Sequence, residues 1–141
     1  MDYKIFFEKH NAKKQLLRLE NKLKNKRVVI YGAGLYSKAL LENYDFSKFN
    51  IIGIVDRCFE NNKQDLYMGY KTYVPEDLTT LDIDIILLSV YDVLKVWSYL
   101  KDELLVGTKN ERVKILPIVH ESVFEIIKDY LKSLRAKTAF S

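Results

Sequence analysis

The chain of 141 residues has few of the residues that build cross-links, metal centres or membrane spans. Cys58 is the only cysteine, which excludes an internal disulfide and fits a reducing compartment. No apolar run approaches the roughly 18 residues of a transmembrane helix, and no secretory signal pattern opens the chain. His10 and His120 have no Cys or His partner at the spacing of a zinc site. These absences predict a cytoplasmic protein with no membrane span and no metal.

Glycine is also scarce, yet two of the five glycines flank Ala33 directly after an apolar, β-branched run. The run Val28–Tyr31 predicts a strand buried on both faces, and the pattern from Leu35 to about Tyr44 predicts a helix. Strand, glycine turn and helix together are typical of the first part of a nucleotide-binding βαβ unit. In such a unit the N–H groups that begin the helix face a phosphate. The candidate phosphate-binding residues are Gly32, Ala33, Gly34, Leu35, Tyr36 and Ser37.

Ser37 stands where the full pattern has its third glycine or an alanine. Serine is small enough for close packing of the helix on the strand, and its hydroxyl could reach a phosphate. The alternative interpretation is a tight turn in an α/β domain with nothing bound to it.

Asp56 ends a second apolar run, Asn50–Val55, and lies 24 residues after Gly32. A nucleotide-binding βαβ unit has a carboxylate at about this distance, which accepts hydrogen bonds from the ribose hydroxyls. Arg57 follows at once and could accommodate a 2′-phosphate or stack on a base, which leaves the choice between NAD and NADP open. The alternative is a surface aspartate that terminates a strand.

The remaining pattern predicts an α/β fold with right-handed crossovers. The interpretation is a doubly wound parallel sheet of about five strands in the order 3-2-1-4-5, with an extra N-terminal helix. The binding crevice would then lie between the tips of the first and fourth strands, near Ser89 and Tyr91. The later predicted elements are strands at Lys71–Val74, Asp82–Val90 and Val113–Ile118, a helix at Asp92–Leu105, and a last helix with a capping box of Ser122 and Glu125.

Composition divides the chain into a lysine-rich helical stretch, residues 1–26, a nucleotide-binding domain, residues 27–135, and a polar tail, residues 136–141. The net charge of +4 is mildly basic and does not by itself indicate nucleic acid, so no nucleic-acid partner is predicted. The first helix could instead pair with another copy of the chain or with a partner domain.

No catalytic residue is assigned, and whether the chain is an enzyme stays open. Tyr-x-x-x-Lys pairs occur, but tyrosine and lysine are abundant enough for about one match by chance. The only pair near the predicted crevice, Tyr91 and Lys95, lies too close to Ser89 to imitate a short-chain reductase. Neither a Walker lysine motif nor a Gly-x-Ser-x-Gly elbow is present.

Four segments occur in an order that resembles a known family: V-V-I-Y-G-A-G-L-Y-S-K-A-L, N-I-I-G-I-V-D, G-Y-K-T-Y-V-P-E-D-L and D-I-D-I-I-L-L-S-V. They resemble the Rossmann-like N-terminal domain of bacterial polysaccharide-biosynthesis proteins, with nucleotide-sugar dehydratase/epimerase and sugar O-acyltransferase relatives. The resemblance covers roughly residues 27–118. It implies that Gly32, Ala33, Gly34 and Asp56 contact NAD(P) or the nucleotide half of a UDP-sugar.

The resulting hypothesis is a Rossmann-like domain that binds NAD, NADP or a nucleotide sugar in bacterial cell-surface polysaccharide biosynthesis. It would be part of, or a partner to, an enzyme that modifies sugar nucleotides. The alternative is a non-catalytic interaction or regulatory module with a degenerate crevice. A methyltransferase that uses S-adenosylmethionine also needs a glycine turn and an acid, but the short length counts against it.

Overall fold

The computed structural model describes residues 2–121 and Leu134. The predicted last helix and the polar tail therefore lie outside the described residues, Leu134 excepted. The elements in chain order are α1 (Tyr3–Lys9), α2 (Ala12–Lys22), β1 (Arg27–Tyr31), α3 (Leu35–Asn43), β2 (Asn50–Val55), α4 (Cys58–Asn61), β3 (Leu66–Tyr67), β4 (Tyr70–Tyr73), a 3-10 helix (Pro75–Thr79), β5 (Ile85–Leu88), α5 (Val93–Tyr99) with a π-helical turn (Leu100–Leu104), and β6 (Lys114–Pro117).

The described strands form one sheet in the order β3-β4-β2-β1-β5-β6. β1 pairs in parallel with β2 and with β5, and the pairs β2–β4 and β5–β6 are also parallel. This arrangement confirms the predicted fold, because β4, β2, β1, β5 and β6 are the predicted strands in the order 3-2-1-4-5. It places β1 at the centre, so that both of its edges are hydrogen-bonded.

The sequence pattern missed β3, which runs antiparallel to β4 at the edge of the sheet. Its two residues are too few to give a periodic signal. A two-residue turn joins the strands, with φ +50° at Met68 and +84° at Gly69, which is the backbone of a tight hairpin.

Side chains alternate between the two faces of the sheet and build a core on each. Ile85 and Leu87 of β5 lie in the core beneath α1, α2 and α3, with Val28 of β1. Ile86 and Leu88 lie in the core on the other face, which α5 covers. Burial on both faces explains why β1 and β5 are continuous apolar runs.

The N-terminal stretch forms two helices where the sequence predicts one. Asn11 adopts the left-handed conformation, with φ +54°, and separates α1 from α2. Phe7, Leu16 and Leu23 are buried in the core shared with Val28. The lysine-rich stretch therefore packs along one stripe against the sheet. Within the described residues, no helix is both long and apolar enough to span a bilayer.

The end of β1 is hydrogen-bonded to both of its neighbouring strands, β2 and β5. The Gly32 N–H donates to Val55 O at 2.8 Å, and the Ser89 N–H donates to Tyr31 O at 2.8 Å. Gly32 has φ +119°, and a Cβ added there would lie 2.5 Å from Ser89 O. Only glycine meets both requirements, the backbone conformation and the close approach.

At its other end, β1 is fastened to β5 by Asp84. The Asp84 carboxylate accepts from the Arg27 backbone N–H at 2.8 Å and from the guanidinium at 3.2 Å. The hydrogen bonds with the Arg27 side chain and then with its N–H lower the pKa of Asp84 to about 2.

We predict that Gly32→Ala destabilises the fold by about 1–3 kcal/mol or more, because alanine is strained at positive φ and its methyl group overlaps Ser89 O. Gly34→Ala is the matched control. Its φ is −81° and no heavy atom lies within 4 Å of the added Cβ, so we expect a change below about 1 kcal/mol. Urea unfolding of both variants checks this. Equal losses of unfolding free energy in the two variants would contradict a requirement for glycine at position 32.

We predict that Asp84→Asn lowers the urea concentration at the midpoint of unfolding at neutral pH. The difference between this midpoint and that of the unmodified chain should become smaller as the pH falls. Because the folded-state pKa lies below the unfolded value, the carboxylate stabilises the fold above about pH 4 and loses that effect as pH falls toward 2. Urea midpoints at pH 7, 5, 4 and 3 measure this. Glu111→Gln is the control, and a constant difference at every pH would overturn the assignment.

Candidate functional site

The carboxyl ends of β1, β2 and β5 meet at one edge of the sheet, where ligands bind in open parallel sheets. Gly32 follows β1 and lies against the Ser89 backbone, which follows β5. Asp56 follows β2 and reaches across to Ala33. The structure therefore brings the predicted turn, the predicted acid and Ser89 to one place.

The first turn of α3 presents free backbone donors at this edge. Gly34 is the N-cap and supplies no side chain, and the first backbone bond is from Lys38 N–H to Gly34 O at 2.9 Å. Among the described residues, the N–H groups of Gly34, Leu35, Tyr36 and Ser37 have no acceptor. No heavy atom lies within 4 Å of the position that a Gly34 Cβ would take. Such a helix start is suited to an anion.

The Asp56 carboxylate clamps the glycine turn to the segment after β2. Its Oδ2 accepts from the Ala33 N–H at 2.7 Å, and its Oδ1 accepts from the Cys58 N–H at 2.8 Å. Each carboxylate oxygen has a further lone pair, so a ribose hydroxyl can still donate to it. The residue predicted to hold a ribose thus also holds the turn in shape.

Cys58 lies beside this clamp and is a poor nucleophile. Burial, and then the charge of Asp56 and a hydrogen bond to it, raise the pKa of the thiol to about 11. The thiol therefore stays protonated at neutral pH, and the thiolate is the reactive form.

The Arg57 side chain extends toward the face of the sheet that α5 covers, whereas α3 lies on the other face. Its guanidinium carbon lies 4.7 Å from the centre of the Tyr99 ring of α5. Hydrogen bonding and charge interaction with Tyr99, and then the charge of Tyr31, raise the pKa of Arg57. The structure does not place the guanidinium against the glycine turn, and its predicted contact with a 2′-phosphate or a base stays a prediction.

Tyr67 of β3 is a neighbour of the turn that the sequence did not identify. Its hydroxyl donates to Ala33 O at 3.2 Å, and its ring packs on Phe59 with centroids 5.7 Å apart. The hairpin of β3 and β4 thereby forms one side wall of the site. A signal was present in the Met68-Gly69 pair, since glycine marks tight hairpin turns.

Two buried hydroxyls at this edge have no hydrogen-bond partner among the described residues, those of Ser37 and Ser89. Both side chains are almost completely buried, at 0% and 1% exposure. Buried polar groups are nearly always paired, and an unpaired one costs about 1–3 kcal/mol. Their positions, on the first turn of α3 and at the tip of β5, therefore favour a polar ligand or ordered water nearby.

Tyr36 is a packing residue whose ring lies in a cluster of aromatic side chains. Its ring centroid is 5.3 Å from that of Tyr3, 5.0 Å from that of Phe7 and 6.5 Å from that of Tyr91. Burial raises the pKa of Tyr36. Only its backbone N–H is therefore available to a ligand at the glycine turn.

Four predicted site residues are exposed: Gly34, Leu35, Arg57 and Tyr91. Leu35 and Tyr91 have 78% and 49% of their surfaces exposed. Tyr91 lines a cavity of about 290 Å³ over the tips of β5 and β6. Phe6 of α1, Val93 of α5 and His120 also line it. This cavity adjoins the first turn of α3 through the contacts of Tyr36 with Phe6 and Tyr91.

No catalytic constellation is visible in the described part of the chain. There, no three His, Cys, Asp or Glu side chains are close enough to share a metal ion. The Lys95 N–H donates to the capping Asp92 at 3.3 Å, and no bond joins Lys95 to Tyr91 within residues 2–121. The described residues of the site therefore offer groups that can bind a ligand, and we assign none of them a catalytic role.

The chain is similar in structure to the protein in a crystal structure of RSP in complex with β-NAD⁺ and operator DNA. The two are 20% identical, with a TM-score of 0.43, and the match covers 91% of this chain and 66% of that one. The chain therefore spans slightly less than two thirds of that protein. No curated protein matches it.

The family comparison covers the part of the chain that carries the glycine turn and the clamp. Residues 24–96 match the model of the C2185-like, N-terminal family. The match begins just before β1 and ends within α5, and it includes more than half of the chain. The chain belongs to the C2185-like, N-terminal family.

Proposed function

We propose that the chain binds a nucleotide, with a phosphate at the glycine turn and the ribose beside Asp56. One observation carries the proposal: the open first turn of α3, where four consecutive N–H groups have no acceptor among the described residues. These donors and the helix dipole favour a doubly charged phosphate over a neutral ligand.

The surroundings of the turn support a nucleotide more than a simple anion. Asp56 is 2.7 Å from the Ala33 N–H, and its remaining lone pairs suit the hydroxyls of a sugar attached to the phosphate. NAD or NADP is the ligand that we propose, and a UDP-sugar is the alternative.

The proposed role in polysaccharide biosynthesis rests on the sequence resemblance alone. Binding of UDP-N-acetylglucosamine would support this role, and absence of that binding would count against it. A bound nicotinamide cofactor would supply hydride transfer. This chain's described residues contribute binding and orientation, through the α3 N–H groups and the Asp56 carboxylate.

A second candidate is an interaction module whose crevice binds no nucleotide. Both Asp56 oxygens already accept backbone N–H groups, which gives the acid a purely structural purpose. Phe6, Tyr36 and Tyr91 also fill the side of the site next to β5. In this case the four open N–H groups are solvated, as at an ordinary helix start.

We predict that one nucleotide class stabilises the chain and that Gly34→Val removes the effect. A ligand at 100 times its dissociation constant adds about 2.7 kcal/mol of stability. The extended backbone of Gly34, with φ −81° and ψ −168°, accepts valine, whose methyl groups would fill the space before the N–H groups. Thermal shift and calorimetry with NAD⁺, NADP⁺, UDP, UDP-N-acetylglucosamine, coenzyme A and S-adenosylmethionine measure this.

Thr80→Val is the matched control, because Thr80 is exposed and precedes β5 at the opposite edge of the sheet. The Thr80→Val variant should bind the stabilising nucleotide with the same affinity as the unmodified chain. The Gly34→Val variant should bind that nucleotide at least about tenfold more weakly. Asp56→Ala is a less direct probe because it also releases the turn. Stabilisation by none of the six ligands would favour the interaction module, and equal binding by Gly34→Val would place the ligand elsewhere.

A further inference from the structure

A second concave site lies between α2 and the segment that follows β6, on residues that the nucleotide site does not use. It is a groove of about 230 Å³. Its walls and floor are formed by Gln15, Arg18, Leu19 and Lys22 of α2, and by Pro117, Ile118 and His120. We call it the α2 groove.

Gln15 holds the two walls of the α2 groove together. Its Nε2 donates to His120 O at 2.9 Å and to His10 O at 2.8 Å, and its Oε1 accepts from the His120 N–H at 3.2 Å. One side-chain amide thus pairs with both backbone groups of His120, much as a neighbouring strand would. The groove is therefore preorganised, which reduces the entropy lost when a ligand binds.

The rim of the groove is cationic and its floor is apolar. Arg18 and Lys22 are four positions apart on α2, so they lie about 6 Å apart along the helix on one face. Both are exposed, and neither has an acidic partner among the described residues, where the ion pairs are Arg27–Asp84 and Lys109–Asp82. Ile118 is fully buried beneath them.

His120 completes the groove on the side opposite α2. Its Nδ1 lies 2.5 Å from Glu121 O, which fixes the ring and leaves Nε2 as its other polar atom. His120 also lines the cavity next to Tyr91, together with Asp92 and Glu121. It therefore stands between the α2 groove and the cavity beside the nucleotide site.

We propose that the α2 groove binds the phosphate group of a small phosphorylated metabolite. Arg18 and Lys22 supply two positive charges for a phosphate dianion, and a guanidinium matches phosphate oxygens in a bidentate manner. Leu19 and Pro117, which are partly exposed, contact the apolar or ring part of the same molecule. A volume of about 230 Å³ is suited to a metabolite of a few heavy atoms and not to a polymer.

Calorimetry with glycerol 3-phosphate and phenyl phosphate tests the proposal, and it is run in the Gly34→Val variant so that the glycine turn does not contribute. We predict that Arg18→Gln and Lys22→Gln each weaken binding about tenfold or more, because each removes a charge-assisted contact. Lys13→Gln and Lys24→Gln are matched controls on lysines outside the groove, and we expect changes below about twofold. Acetate should bind much more weakly than either phosphate ester.

The two histidines give a second measurement. On addition of phenyl phosphate, the ring resonances of His120 should move, whereas those of His10, which lies outside the groove lining, should not. Absence of binding would overturn the proposal, as would equal losses in the groove variants and the two controls. Binding of a single-stranded oligonucleotide that all four substitutions weaken equally would instead indicate a diffuse basic surface and would also overturn it. None of these results depends on the glycine turn binding a nucleotide.

Discussion

The close approach of Gly32 to the backbone of Ser89 is the contact on which the candidate site depends. β1 is hydrogen-bonded to β2 on one side and to β5 on the other, so its end has no room for a side chain. The positive φ of Gly32 then directs the chain out of the sheet and into α3. Because the turn is this tight, the first N–H groups of α3 stand at the carboxyl edge of the sheet.

Asp56 has two roles at this turn, one in its conformation and one that we propose in ligand binding. The carboxylate that we propose as the acceptor for a ribose is also the acceptor that holds the Ala33 and Cys58 N–H groups in place. Tyr67 closes one side through Ala33, and the aromatic cluster around Tyr36 closes the other. These contacts hold the turn in one conformation around its backbone donors, and preformed donors favour binding.

The sheet and its order could be predicted because they follow from local patterns and general rules. The apolar runs at β1, β2 and β5 are long enough to identify, and right-handed crossovers limit their order. The remaining features depend on contacts between residues far apart in the chain. These include the direction of Arg57 toward Tyr99 and the bond from Tyr67 to Ala33. The break at Asn11 is a backbone conformation with no periodic signal.

The first turn of α3 is the place where we propose that the phosphate of a nucleotide binds. Titration of ¹⁵N-labelled protein with ADP and with UDP, followed by two-dimensional amide spectra, tests it most directly. We expect the amide resonances of Gly34, Leu35 and Tyr36 to move first and furthest. The Cys58 resonance should follow, because Asp56 bonds both to its N–H and to that of Ala33. Unchanged resonances at these residues with either nucleotide in millimolar excess, or larger shifts elsewhere, would contradict it.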